Sequence, residues 1–124
     1  MNTESVPLHE MLEKIFHEPN RLAIMSALAA AEKRRLTFTE LKEACRITDG
    51  NLNSHLSVLE GAGAVRVHKE FADRKPRTTV ALTAAGLERF SEYLDALGRV
   101  LQEARAALPA AARRTAPAGH AVPA

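Results

Sequence analysis

The chain has 124 residues, 46% of them apolar but only 4% aromatic, with no Trp. That is one domain's worth of chain, whose core must come from Leu, Ala, Val and Ile and is small enough to gain from a partner. One cysteine, Cys45, excludes an intrachain disulfide framework and fits a reducing compartment. The N-terminus lacks the basic start and apolar run of a signal peptide, and no stretch approaches the roughly 20 apolar residues of a membrane helix. The expectation is a cytoplasmic protein that does not engage a membrane.

The net charge of +2 is unevenly placed: residues 1–61 carry 7 Lys/Arg against 9 Asp/Glu, residues 62–124 carry 10 against 6. The stretch 64–80 holds Arg66, Lys69, Arg74, Lys75 and Arg77 against Glu70 and Asp73. Positive charge concentrated on one protruding element is what phosphate contact requires.

In chain order, Pro7 opens a helix expected to run to Phe16, with Leu8, Met11, Leu12 and Ile15 as its apolar stripe. His17-Glu18-Pro19 interrupts it, and Pro19 suits the first turn of a second helix. Leu22, Ala23, Met25, Ser26, Ala29 and Ala30 give that helix a face of mostly small residues. Glu32 to Arg35 read as a charged connection. Thr37 with Glu40 forms a capping box that starts a short helix over 38–45, with Phe38, Leu41 and Cys45 facing inward. Arg46-Ile47 makes a turn, and Thr48 caps a helix over 49–62 that buries Leu52, Leu56 and Leu59.

Gly61-Ala62-Gly63 ends that helix. Val65 and Val67 alternate with Arg66 and His68 in one strand, and Thr79 to Leu82 supply a second. The interval Phe71 to Pro76 reads as a basic loop too long for a two-residue turn. Thr83 caps a last helix in which Leu87, Phe90, Leu94, Leu97, Leu101, Ala104 and Leu108 follow steps of 3 and 4, a heptad-like seam. From Pro109 the Ala/Pro/Arg-rich sequence has no apolar period and reads as a disordered tail over 109–124.

The resulting expectation is a mainly α fold with a small β-hairpin (α+β): a winged helix-turn-helix with a long C-terminal dimerisation helix, one domain over 7–108. With Leu52, Leu56 and Leu59 inward, helical rotation turns Gly50, Asn51, Ser54, Ser57 and Val58 outward, with Asn53 and His55 on the flanks. Small polar side chains let such a helix enter a major groove about 12 Å wide, where Asn pairs with adenine and Ser with several base edges. The plainer reading is a solvated surface helix; the preceding helix, the sharp turn and the basic wing argue against it. Arg74, Lys75 and Arg77, with Pro76 stiffening the segment, suit phosphate or minor-groove contact. The DNA-binding set is therefore Thr48, Gly50, Asn51, Asn53, Ser54, His55, Ser57, Arg74, Lys75 and Arg77. His55 is read either as a phosphate contact or as a flank-packing residue. The dimerisation set is Leu87, Phe90, Leu94, Leu97, Leu101 and Leu108.

Several segments resemble the winged-helix family of MarR- and ArsR-type bacterial transcriptional regulators over about residues 19–90: Pro19-Asn20-Arg21-Leu22-Ala23-Ile24, Phe38-Thr39-Glu40-Leu41, Thr48-Asp49-Gly50-Asn51-Leu52, His55-Leu56, Leu59-Glu60 and Gly63. The pattern continues through Val65, Lys69-Glu70-Phe71, Arg74 to Thr79, Leu82-Thr83 and Ala85-Gly86. The resemblance implies a homodimeric regulator, usually a repressor, on a roughly palindromic operator. Relatives often carry a basic residue where Ser54 stands, so helix 49–62 here has neither Lys nor Arg. That shifts affinity toward the wing and base choice toward Asn51, Asn53 and Ser54.

His9, Glu13 and His17 share one helical face, but read as incidental rather than as a metal site, and no cofactor is expected. Cys45, at an apolar helix position, reads as buried and inert rather than redox-sensing. No nucleophile–base pair or phosphate loop suggests an enzyme. An effector pocket between the N-terminal helices and the last helix is left open, with no ligand defined. The alternative function is a winged-helix protein-interaction module that does not bind DNA. The expected partners are double-stranded DNA and a second copy of the chain.

Overall fold

Caps set where the helices begin. The computed structural model describes residues 12–110. Pro19 occupies the first turn of α1 (Pro19–Ala30), and the Glu18 carboxylate accepts from the Arg21 N–H at 2.8 Å. A 3-10 turn, Glu32–Arg34, leads into β1 (Arg35–Thr37). α2 (Phe38–Cys45) starts from the full capping box of Thr37 and Glu40. Arg46 in the left-handed region ends α2, and Thr48 caps α3 (Asp49–Gly61) through the Asn51 N–H at 3.1 Å. β2 (Val65–Ala72) and β3 (Lys75–Leu82) form the hairpin, and Thr83 caps α4 (Ala84–Ala107).

The three strands are antiparallel in the order β1-β3-β2. Ile24, Met25 and Leu28 of α1, Leu41 of α2, Leu52, Leu56 and Leu59 of α3, Val65, Val80 and Phe90 make one core. α2 and α3 thus pack against α1 and the sheet, with the hairpin projecting beside α3.

Four sequence expectations change. Residues 7–11 of the first expected helix lie outside the described residues; within them, Lys14–Phe16 form a turn closed by Phe16 and His17 N–H groups on the Glu13 carbonyl. The interruption before Pro19 acts earlier than the apolar spacing suggested, yet Phe16 is fully buried. α1 buries Ile24, Met25 and Leu28, while Ala23, Ser26 and Ala30 of the small-residue face are exposed. Larger side chains remove more apolar area from water, so they take the inner face. Arg35, read as part of a connection, begins a three-residue strand, pairing Arg35 with Ala81 and Thr37 with Thr79.

The wing is the fourth change. Phe71 to Pro76 is not a loop: the ladder runs to Phe71↔Pro76 and Ala72↔Lys75, and only Asp73-Arg74 turn. Both have positive φ, 54° and 67°. Two such residues give the turn whose twist matches a hairpin, and Asp tolerates that conformation well. Ala72–Lys75 closes such a turn with paired hydrogen bonds, so alternation puts Pro76 where its missing N–H faces away from β2. The proline is therefore compatible with the strand.

The end of α3 and the start of α4 are joined tightly. Gly63, at φ +79°, makes the left-handed step after α3. Its N–H bonds to the Glu60 carbonyl and that of Ala64 to the Leu59 carbonyl, both at 2.9 Å, the paired closure common after helices. The carbonyls of this turn are then taken by α4 and its cap. Arg89 Nη1 donates to the Ala62 carbonyl at 2.7 Å, and Thr83 Oγ1 donates to the Gly63 carbonyl at 2.7 Å. The Thr83 N–H reaches the Ala64 carbonyl at 3.1 Å. Gly86 lies against Ala64, and a Cβ there would fall closer than 3.0 Å to three of its backbone atoms.

Backbone cannot yield as a side chain tip can. Gly86→Ala is expected to lower stability by about 3 kcal/mol and Tm by more than about 10 °C, measured by thermal unfolding. An unchanged Tm would show that α4 does not approach the turn this closely.

Candidate nucleic-acid interface

α3 presents a small, polar outer face. Gly50, Asn51, Asn53, Ser54, Ser57 and Val58 are all exposed, on the side opposite buried Leu52, Leu56 and Leu59. Thr48 is exposed at the helix start, its hydroxyl engaged as the cap. Asp49 would put a carboxylate at this end, but Lys42 of α2 meets it at 2.8 Å. That hydrogen bond and the charge of Asp49 hold the Lys42 ammonium above its usual value. The pair also ties α2 to α3 across the turn.

His55 departs from the outer set. It is half-buried, and Arg21 Nη1 donates to its Nδ1 at 3.1 Å, with Glu18 Oε1 3.8 Å away. Asn20 Nδ2 lies 3.5 Å from its Nε2. Arg21 also donates through Nε to the Ile15 carbonyl at 2.6 Å. His55 thus packs on the start of α1, the flank position that the sequence offered beside phosphate contact.

The wing supplies the cations. Arg74, Lys75 and Arg77 are exposed at and beside the turn. Arg77 stands opposite Glu70 in the ladder, which offsets part of its charge. Two open clefts frame these residues. One, about 720 Å³, lies between the start of α2 (Thr37 to Glu40) and Lys75, Pro76, Arg77 and Thr78 of β3. The other, about 420 Å³, runs between α3 and the sheet and is lined by Asn53, Ser57, Lys69 and Thr78 among others.

Sequence reading missed Lys69. The strand alternation contained the signal, since Lys69 shares a face with Val65 and Val67 and therefore looks toward α3. Glu60 was missed too. Its Oε2 accepts from the Val67 N–H at 3.0 Å, on the free edge of β2, tying α3 to the base of the wing. His68, alternating with Val67 on β2, is exposed.

The expected dimerisation residues divide. Phe90 is buried within its own chain, edge-on to Phe16 at 5.4 Å and stacked near Tyr93. Leu87 and Leu97 are half-buried. Leu94, Leu101 and Leu108 are exposed by 43%, 54% and 44%, seven residues apart along one stripe. The first half of α4 thus closes the chain's own core, and the second half projects from it.

Within the described part of the region left open for an effector, between the N-terminal segment and α4, the rings of Phe16, Phe90 and Tyr93 pack together. There His17 Nδ1 pairs with the Tyr93 hydroxyl at 2.9 Å, and Arg89 grips Glu13 at 2.7 Å. Both of these residues from the histidine-bearing face expected at 9–17 are therefore engaged with α4, while His9 lies outside the described residues. Cys45 is half-buried, and burial pushes its thiol up, which disfavours the reactive thiolate. No helix among the described residues is long and apolar enough to cross a membrane.

A capped helix pair with an exposed polar second helix, flanked by a cationic hairpin, defines a winged helix. Comparison with known proteins agrees: residues 20–101 match the winged helix DNA-binding domain family, and the chain belongs to it. An uncharacterized protein of Methanocaldococcus jannaschii is 35% identical over 81 residues, 65% of this chain and 86% of that protein. The structure of a transcriptional regulator homologue from Pyrococcus horikoshii is 37% identical, with a TM-score of 0.70 over 77% of this chain and 94% of that one. A MarR family regulator from Streptomyces coelicolor, solved in complex with DNA, shares the fold at 22% identity and TM-score 0.57, covering 89% of this chain and 72% of that one.

Proposed function

We propose that the protein is a homodimeric, sequence-specific transcriptional regulator that acts as a repressor. The observation that carries this reading is the exposed, small and polar outer face of α3 beside a cationic wing. In this reading α3 enters the major groove. Asn51, Asn53 and Ser54 choose bases, with Gly50 and Ser57 allowing close approach. Arg74, Lys75 and Arg77 contact phosphate or the minor groove and supply most of the affinity. The Streptomyces coelicolor relative, seen with DNA, supports this use of the fold.

The projecting half of α4 supports pairing. From Leu101 to Ala110 every residue is exposed in the single chain. An isolated helical extension of this kind is marginal in water and gains stability from packing. A second copy laid along Leu94 and Leu101, with Leu108 continuing the heptad, covers it. Two reading helices would then sit about 34–36 Å apart, one turn of DNA.

A mobility-shift titration with the DNA upstream of the protein's own gene tests the DNA reading. The expected result is a sequence-selective, salt-sensitive shift, and Arg74→Ala or Arg77→Ala should each reduce the salt slope by about one. No binding at low salt would instead favour a protein-interaction module, the reading suggested by the lack of Lys and Arg on α3. Sedimentation tests the pairing: the full chain is expected to be a dimer at micromolar concentration. Leu94→Glu with Leu101→Glu should give monomers, and a monomeric wild-type chain would contradict it.

A further inference from the structure

Phe71 is the most exposed large apolar side chain among the described residues, 77% accessible. The other aromatic side chains are buried or half-buried: Phe16, Phe90 and Tyr93 in one cluster and Phe38 between α2 and the wing. Nothing in the fold requires an aromatic ring at this place in the hairpin.

Its position is well defined. The ladder pairs Val67 with Val80, Lys69 with Thr78, and Phe71 with Pro76. Alternate rungs share a face, so these six side chains form one strip running outward from the core. Lys69 and Thr78 line the cleft against α3, which fixes this strip as the side facing the reading helix. Phe71 and Pro76 are its outermost pair. They occupy the rung without mutual backbone bonds, where cross-strand side chains come closest. The two-residue turn follows one rung later, so the ring rests on paired strands.

Charge selects the partner. Lys69 lies two rungs inward on the same face, Arg74 is in the turn beside Asp73, and Lys75 and Arg77 are on the opposite face, Arg77 across from Glu70. An apolar ring among four cations fits a groove walled by sugar C–H groups and edged by phosphates. The minor groove, about 6 Å wide, is too narrow for the paired strands but admits single side chains reaching from the hairpin tip, one such ring among them. Apolar side chains, Phe and Pro included, are among those that proteins place in that groove.

We propose that Phe71, backed by Pro76, is a minor-groove contact of the wing, its ring packed on the deoxyribose wall between the phosphates held by the neighbouring cations. This rests on the DNA-binding reading above and adds to it a source of affinity that releases no counterions.

The test measures Kd across a range of salt for the full chain and its variants, on a duplex selected from a random pool by the wild-type protein. Phe71→Ala is expected to bind at least tenfold more weakly at every salt concentration, with the slope of log K against log salt unchanged. Phe71→Leu should recover most of that loss. Because the ring is exposed, Tm should be unchanged in both variants. Wild-type affinity in Phe71→Ala would overturn the proposal while leaving the DNA reading intact. A slope reduced by one would also overturn it, because the ring would then only position a cation. A change in sedimentation without a change in DNA affinity would assign Phe71 to a contact between copies. If the wild-type chain selects no duplex, both readings fall.

Discussion

The architecture depends on how the start of α4 grips the three-residue turn Ala62–Ala64. Each carbonyl of that turn is claimed: Ala62 by Arg89, Gly63 by Thr83 Oγ1, and Ala64 by both the N–H and the hydroxyl of Thr83. Gly86 allows the approach, since any side chain there would occupy the Ala64 backbone. The far side of Arg89 reaches Glu13 and lies over the Phe16 ring at 5.8 Å. One short turn therefore joins α3, the wing strand β2, α4 and the N-terminal segment. Polar backbone in such a junction must be paired: carbonyls of α3 take its N–H groups, and Thr83 and Arg89 take its carbonyls.

That junction explains why the polar face of α3 can be so plain. A helix that reads DNA must be held at a fixed rotation and depth, and contacts on its other sides achieve this. Glu60 ties its last turn to Val67, Lys42 holds its first residue, and His55 rests on Arg21 of α1. None of these groups belongs to the outward set of Gly50, Asn51, Asn53, Ser54 and Ser57. Long cations on α3 itself would add guanine contacts, which this face does without. Under the proposed function, grip comes from the hairpin, whose two-residue turn keeps its cations and Phe71 on a paired scaffold.

Much of this was legible in the sequence because it is written in local signals. Thr37 with Glu40, Thr48, Gly63 and Thr83 marked helix ends through caps that act within a few residues, and the structure has all of them. Leu52, Leu56 and Leu59 fixed the inner face of α3 by spacing alone. What failed was whatever depends on distant partners. Arg35 is a strand residue only because β3 lies beside it. Phe90 fits a heptad seam by spacing, but Phe16 and Tyr93 claim it. The wing was misread for a different reason: Pro76 looks like a breaker until the register shows that its side of β3 needs no donor. Arg89 carries no pattern, and Glu60 and Arg21 stand in the family resemblance with no role attached, since long polar side chains acquire roles from what the fold brings near them.

A junction bonded on every carbonyl should open only when the whole domain unfolds. Native-state hydrogen exchange measures this directly. The amides of Ala64, Thr83 and Gly86 are expected to exchange with the same opening free energy as the core amides of α3, Leu56 and Leu59. Exchange of the junction amides at loop-like rates, with the α3 core still protected, would contradict it.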